Sequence, residues 1–245
     1  KSHNLPACFL IHTSIYIRKY HSNLFYSKPE YLEIWKQLYD YGFELGLHPH
    51  EEDPNGRYYY YYYPKYMAKI IKAHCEYLKN AGINATAVRF GYFTISEWTI
   101  PVLEKNNIFL SFDPMGGYLS YTSNHFETAP LHQYFYSYKN KERAGNSRVL
   151  AVPLGMTGNK RLWNGLIPEA NSVESQIALI DGLLNESGKY ADCGGLAVNL
   201  LIHSYNSIDK NKNIDVVINY MKSKVNLKFT SGAAVLKNMN RQNSK

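Results

Sequence analysis

Gly46-Leu47-His48-Pro49-His50-Glu51-Glu52 places two histidines one residue apart, directly after the mostly apolar residues 43–47. We interpret residues 43–47 as a β-strand that runs into this loop. Alternate side chains of an extended segment point the same way, so both imidazoles can reach one ion at Zn–N distances of about 2.0–2.1 Å. The His-x-His spacing alone is equally consistent with a metal site and with a chance pair of histidines in a loop.

Two glutamates, Glu51 and Glu52, complete this stretch. A carboxylate here could ligate the ion or orient an imidazole. Because Asp53 and Pro54 follow at once, a solvated loop is the more common interpretation of such residues, and the spacing assigns them no chemistry. The predicted position of the histidines after a strand is what favours a metal site.

Strands and helices alternate on both sides of this loop. The apolar patterns predict a buried strand over residues 5–11 and a helix over residues 29–41. Further helices are expected at 66–80, 96–104, 172–185 and 215–222, and further strands at 85–88, 108–112, 149–154, 196–202 and 227–230. This alternation favours one α/β domain over residues 1–245, with helices covering a parallel sheet.

Four polar residues follow the ends of predicted strands, namely His48, Arg89, Asp113 and His203. Active sites of open parallel sheets and of barrels lie at this edge. Because all four residues follow strand ends, we predict that they form one site. The remaining histidines, His12 among them, show no common spacing, and we assign them no chemistry.

Each of these residues also has an ordinary structural interpretation. Arg89 can hold a carboxylate by a bidentate hydrogen bond, or it can form a surface salt bridge. Asp113 can orient a catalytic histidine, or it can cap the turn that Pro114 begins. His203 can act as a general acid, since imidazoles exchange protons near neutral pH, or it can be a hydrogen-bonded histidine at a strand end.

Composition limits the class of protein. Hydrophobic residues make up 45% and charged residues 19% of the chain, as in ordinary globular domains. The net charge of +7 comes from scattered residues, so we expect no nucleic-acid partner. No apolar run approaches the roughly 20 residues of a membrane span. The three cysteines, Cys8, Cys75 and Cys193, are too widely spaced to indicate a disulfide framework or a cysteine metal site.

Taken in order, these motifs resemble a divergent branch of the polysaccharide deacetylase superfamily, also known as the NodB-homology or carbohydrate esterase family 4 group. Residues 43–50 resemble the family's segment leading into its metal-binding histidines. Arg89-Phe90-Gly91-Tyr92 is similar to its arginine motif, and Leu200 to His203 matches Leu-x-x-His. Asp113 lies where the family places the acidic residue of its fourth motif. The resemblance spans roughly residues 5 to 230.

The resemblance implies a distorted, seven-stranded (β/α) barrel and a metal-dependent deacetylase that acts on a glycan or an acylated amino sugar. It implies a divalent metal, with zinc expected, bound by His48 and His50. Since the family spaces its two histidines four apart, Glu52 is the alternative to His50. His203 would be the general acid, Arg89 would steady a catalytic aspartate, and the backbone N–H of Tyr92 would help to hold the oxyanion.

One family motif has no counterpart. The family's opening strand ends in paired acidic residues that supply the catalytic base and a metal-binding aspartate, whereas the first acidic residue here is Glu30. We therefore expect the barrel's first strand to lie upstream of Lys1, and weak metal affinity with little activity for this chain. The alternatives are an inactive carbohydrate-binding domain, with Tyr58 to Tyr63 and Trp98 as sugar platforms, and a hydrolase of a non-sugar amide.

Overall fold

Short parallel strands and amphipathic helices alternate along the chain. The computed structural model describes residues 5–12, 28–49, 63–115, 126–156, 165–203 and 208–243. One sheet contains β1 (Cys8–His12), β2 (Glu44–His48), β3 (Ala87–Val88), β4 (Leu110–Ser111), β5 (Tyr134–Phe135) and β6 (Leu150–Ala151). The strand order is β1-β2-β3-β4-β6-β5, and only the β5–β6 pair is antiparallel. This arrangement is a mixed α/β fold with a mainly parallel sheet.

Within the described ranges, six α-helices accompany the sheet. They are α1 (Pro29–Asp40), α2 (Pro64–Asn80), α3 (Thr99–Lys105), α4 (Val173–Glu186), α5 (Ile208–Lys222) and α6 (Gly232–Asn243). Proline occupies the first turn of α1 and of α2, where its missing N–H costs no helical hydrogen bond. The N-terminus of α4 is capped by Ser172, whose side chain accepts a hydrogen bond from the backbone N–H of Ser175.

The sheet packs against helices on both of its faces. One face forms the largest apolar cluster with α1, α2 and α3, and Leu45, Leu47 and Val88 are among its fully buried side chains. The opposite face contributes Ala87, Leu110 and Leu150 to a smaller cluster, which α6 covers with Val235, Leu236 and Met239. Burial on both faces explains why the strands are apolar at consecutive positions.

A third apolar cluster joins α4 to α5. Leu179, Leu183 and Val217 are buried in it, and Leu196, Val198 and Leu200 pack against it. Asn199 lies between Val198 and Leu200 and forms a parallel bridge with Leu154, which lies just beyond β6. The segment before His203 therefore runs in the same direction as the parallel strands of the sheet.

Gly46 lies at the centre of β2, where two neighbouring strands approach it closely. A Cβ atom built on Gly46 would lie 2.6 Å from the backbone oxygen of Ala87 and 2.8 Å from the side chain of Leu10. Such contacts are far shorter than van der Waals distances, and the Ala87 oxygen belongs to a paired strand. The close packing of β1, β2 and β3 therefore requires glycine at this position.

Glu44, the first residue of β2, holds the N-terminus of α6. Its carboxylate accepts hydrogen bonds from the backbone N–H groups of Gly232 and Ala233, at 3.0 and 2.6 Å. The first N–H groups of a helix have no partner within the helix, and a negative charge there also interacts favourably with the helix dipole. One side chain thus connects the second strand to the last helix.

The α/β fold class predicted from the sequence is confirmed. The described strands form an open sheet, in which β1 and β5 pair on one side only, so the predicted barrel is not seen in this part of the chain. None of the helices in the described ranges combines the length and hydrophobicity that a bilayer crossing requires.

Several predicted elements differ from those observed. Residues 5–11 were expected to be a buried strand, but only Ile11 of β1 is fully buried and Phe9 is 37% exposed, because β1 is an edge strand. Residues 196–202 form one isolated bridge instead of a strand, and residues 227–230 form no strand. Strand β5 and helix α6 were not predicted.

We expect Gly46→Ala to destabilise the protein by about 1–3 kcal/mol, because the new methyl group must displace the backbone of β3. Gly188→Ala is the matched control, since a Cβ at Gly188 meets no atom within 4 Å. That variant should be neutral, or more stable by up to about 1 kcal/mol. Urea denaturation measures both, and equal stability of the two variants would contradict the close approach at Gly46.

Candidate active site at the carboxyl ends of the strands

The register of the parallel strands places their last residues side by side. His12 pairs with His48 across β1 and β2, Leu47 pairs with Val88, and Val88 pairs with Ser111. The residues that follow β3 and β4 therefore emerge at the same edge as His48. Two predicted site residues, Arg89 and Asp113, lie in these continuations.

His48 is oriented by the backbone of the next strand. Its Nδ1 lies 2.5 Å from the carbonyl oxygen of Arg89. Because a carbonyl oxygen only accepts hydrogen bonds, Nδ1 must carry the hydrogen, and the lone pair of a neutral ring is then on Nε2. Histidines that bind metals are commonly held in this way, through the nitrogen that does not touch the metal.

His12 is the neighbour of His48 on β1. The two ring centroids lie 5.2 Å apart and the rings are perpendicular. Burial lowers the pKa of His12 to about 4, so its imidazole is neutral at physiological pH. The spacing of the histidines in the sequence gave no reason to associate His12 with His48. Their proximity is evident only from the pairing of β1 with β2.

Arg89 lies in the interior, with only 7% of the residue exposed. The guanidinium carbon is 4.3 Å from the centroid of the Phe93 ring, a cation–π distance. Phe93 has a left-handed backbone with φ of 57°, which is unusual for a bulky residue. It ends the short 3₁₀ turn Gly91–Phe93, whose first N–H donates to the carbonyl of Pro49 at 2.8 Å. Arg89 is therefore not an exposed surface arginine, and its loop is tied to the loop after His48.

Asp113 is fully buried and fastens the ends of β3 and β4 together. One carboxylate oxygen accepts the backbone N–H of Phe90 and the other accepts the hydroxyl of Ser111, both at 2.7 Å. Ser111 is also 2.9 Å from the hydroxyl of Tyr136. Burial raises the pKa of Asp113 to about 7, although these hydrogen bonds and the nearby charges of Arg89 and Lys141 oppose the shift.

The carboxylate that contacts His203 is Glu169, for which the sequence indicated no role. An oxygen of Glu169 lies 2.7 Å from Nδ1 of His203 and 2.9 Å from the backbone N of the same residue. The Glu169 side chain is 3% exposed and that of His203 is 30% exposed. Burial alone would raise the pKa of Glu169, but the hydrogen bonds from His203 outweigh it and lower that pKa.

The Glu169–His203 contact corrects one interpretation of the sequence. We allowed Asp113 to orient the catalytic histidine, yet its hydrogen bonds are to Phe90 and Ser111. Glu169 provides the oriented carboxylate instead. It lies 34 residues before His203, in a segment without regular strand or helix. No local pattern could have paired the two residues.

The predicted metal ligands are only partly described. His50, Glu51 and Glu52 lie outside the described residues, and so do the tyrosines from 58 to 62. Among the residues that the structure describes, no group of three His, Cys, Asp or Glu side chains could hold a metal ion. The described donors at the strand ends are the imidazoles of His12 and His48, and nitrogen donors suit zinc. Tyr92 lies in the short turn Gly91–Phe93, which follows Arg89.

Comparisons with known proteins give a structural relative but no relative at the level of sequence. No family model matches the sequence, and no curated protein matches it. Among solved structures, the fold is similar to that of a candidate polysaccharide deacetylase from Mycobacterium smegmatis, with a TM-score of 0.60 and 15% sequence identity. The alignment covers 98% of this chain and 73% of that chain. At this identity the similarity shows a common α/β fold along nearly the whole described chain.

Proposed function

We propose that this protein is a metal-dependent hydrolase that removes acyl groups, in particular acetyl groups, from a glycan or a related amide. The observation that carries the proposal is the pairing of His203 with the buried carboxylate of Glu169. The similarity of fold to a candidate polysaccharide deacetylase supports this class of reaction. The proposal includes a domain of the deacetylase barrel type, of which the open six-stranded sheet is the described part.

His203 is suited to donate a proton to a leaving amine. A carboxylate accepts hydrogen bonds, so Glu169 fixes the hydrogen on Nδ1 of His203 and leaves Nε2 to take up and release a proton. A buried carboxylate that orients an imidazole in this way also stabilises its charged form. The partial exposure of His203, against the burial of Glu169, lets the ring meet a substrate.

A metal ion would be held by His48 together with His50, or with Glu52 in its place. The orientation of His48 supports this assignment, because its Nδ1 donates to the backbone carbonyl of Arg89 and Nε2 therefore carries the lone pair. When bound, such an ion supplies positive charge that polarises an amide carbonyl and favours ionisation of water.

Arg89 and Tyr92 would orient the reacting groups. A guanidinium held in the interior against Phe93 can bind a carboxylate with two parallel hydrogen bonds. The backbone N–H of Tyr92 would stabilise the developing oxyanion. Asp113 acts through them as a positioning residue, because its hydrogen bond to Phe90 fixes the start of the segment that contains Tyr92.

The central test is hydrolysis of acetylated chitooligosaccharides by the whole chain supplied with zinc, with and without a chelator. We expect slow, chelator-sensitive release of acetate. His203→Ala should lower kcat by about 10²–10⁴-fold and leave the zinc content unchanged, since general acid catalysis contributes about that factor. His48→Ala should lose zinc, and His132→Ala is the control at a histidine without a proposed role.

Equal zinc content in wild type and His48→Ala would contradict the ligand assignment. Oligosaccharide binding without turnover, under all metal conditions, would replace the hydrolase with a carbohydrate-binding domain. Turnover of simple acylated amides but not of acetylated sugars would identify a non-sugar amidase.

Glu169→Gln is expected to lower kcat by about 10–100-fold with little change in zinc content, because a glutamine cannot stabilise a charged imidazole as a carboxylate does. Glu186→Gln is the matched control, since Glu186 forms a surface ion pair with Lys189. Steady-state kinetics and metal analysis measure the two effects separately. Unchanged kcat in Glu169→Gln would show that the contact with His203 is structural.

Asp113→Asn should change the pH dependence of stability. A buried acid whose pKa rises from 3.8 to about 7 on folding binds more protons in the native state than in the unfolded state between these values. The free energy of unfolding of the wild type, relative to Asp113→Asn, should therefore fall by up to a few kcal/mol as the pH rises from about 4 to about 7.

Urea denaturation at a series of pH values measures this difference. Asp192→Asn removes an exposed carboxylate and serves as the control. A relative stability that stays constant, or that rises with pH, would contradict burial of Asp113 as the dominant influence.

A further inference from the structure

His12 and His48 form a pair that the His-x-His motif does not include. They occupy the last positions of two adjacent parallel strands and are direct partners in the register. Their rings are perpendicular with centroids 5.2 Å apart. Residues at the ends of paired strands are held more precisely than residues in a loop, which favours a preorganised site.

We propose that His12 is a ligand of the same metal ion as His48, so that the metal centre bridges strands β1 and β2. The inference rests on the proposed function, because it concerns the ion that the hydrolase would use. It adds a ligand from β1 to the histidine that ends β2.

The separation of the two rings fits this assignment. A tetrahedral zinc ion lies about 2.0–2.1 Å from each imidazole nitrogen, and each nitrogen lies about 1.1 Å from its ring centre. Two imidazoles on one ion therefore have centroids about 5.2 Å apart, as in the pair described here. Edge-to-face packing of two rings gives similar distances, so the experiment must separate coordination from packing.

The hydrogen bonding of His48 is a second, independent observation. Its Nδ1 is committed to the carbonyl of Arg89, which leaves the lone pair on the opposite nitrogen. This is the arrangement in which a backbone carbonyl orients a metal-binding imidazole. With His12 alongside, two nitrogen donors come from the ends of adjacent strands, and nitrogen donors suit zinc.

The test uses the whole chain and His12→Phe, which keeps an aromatic ring beside His48 but removes both nitrogens. Zinc affinity is measured by competition with a chromogenic chelator, and nitrogen ligands are counted from the electron paramagnetic resonance of the Cu²⁺-loaded protein. We expect His12→Phe to bind zinc at least about 10-fold more weakly than wild type and to lose one coupled nitrogen. His132→Phe is the matched control and should match the wild type in both measurements.

The outcomes separate this inference from the proposed function. Wild-type affinity and an unchanged nitrogen count in His12→Phe, with loss of metal in His48→Ala, would overturn the role of His12 and leave the hydrolase proposal intact. Absence of zinc binding in the wild type would overturn both. If His12→Phe fails to fold by circular dichroism, His12→Gln provides the same comparison with a smaller side chain.

Discussion

The parallel register of β1, β2, β3 and β4 is the constraint on which the candidate site depends. Neighbouring strands lie about 4.8 Å apart, so residues that end paired strands are brought within contact distance whatever their separation in the chain. This places His12 beside His48 and the carbonyl of Arg89 beside the His48 ring. Gly46 permits the spacing, because any larger residue at the centre of β2 would push the backbone of β3 away.

Local sequence patterns predicted much of the fold. The elements that they did not predict depend on contacts between residues far apart in the chain. Apolar segments along the sequence predicted strands β1 to β4 and β6 and helices α1 to α5, in their observed order. Strand β5 was not predicted because it has two residues, is defined by its pairing with β6 and carries no period of its own. Helix α6 was overlooked because its sequence is mostly polar, and its apolar contacts with the sheet come from Val235, Leu236 and Met239. Such a helix is stabilised by packing and by Glu44 more than by its own sequence.

The same distinction applies to the site. His48, Arg89 and His203 were predicted because each follows an apolar segment, and the structure gives each of them a defined set of contacts. Glu169 and His12 were overlooked because their importance comes from tertiary pairing, with His203 in one case and with His48 in the other. Asp113 was predicted as a site residue, and its observed hydrogen bonds hold the ends of β3 and β4 together.

The contact of Glu44 with helix α6 has a consequence for the order in which the chain acquires its structure during synthesis. The two partners are 188 residues apart, and translation at about 5–20 residues per second separates their appearance by roughly ten to forty seconds. In the last part of that interval, after Leu150 has been made, the apolar face formed by Ala87, Leu110 and Leu150 is without its covering helix. Exposed apolar surface of this kind makes folding intermediates prone to aggregation, so completion of α6 ends the period in which the sheet is most exposed to it.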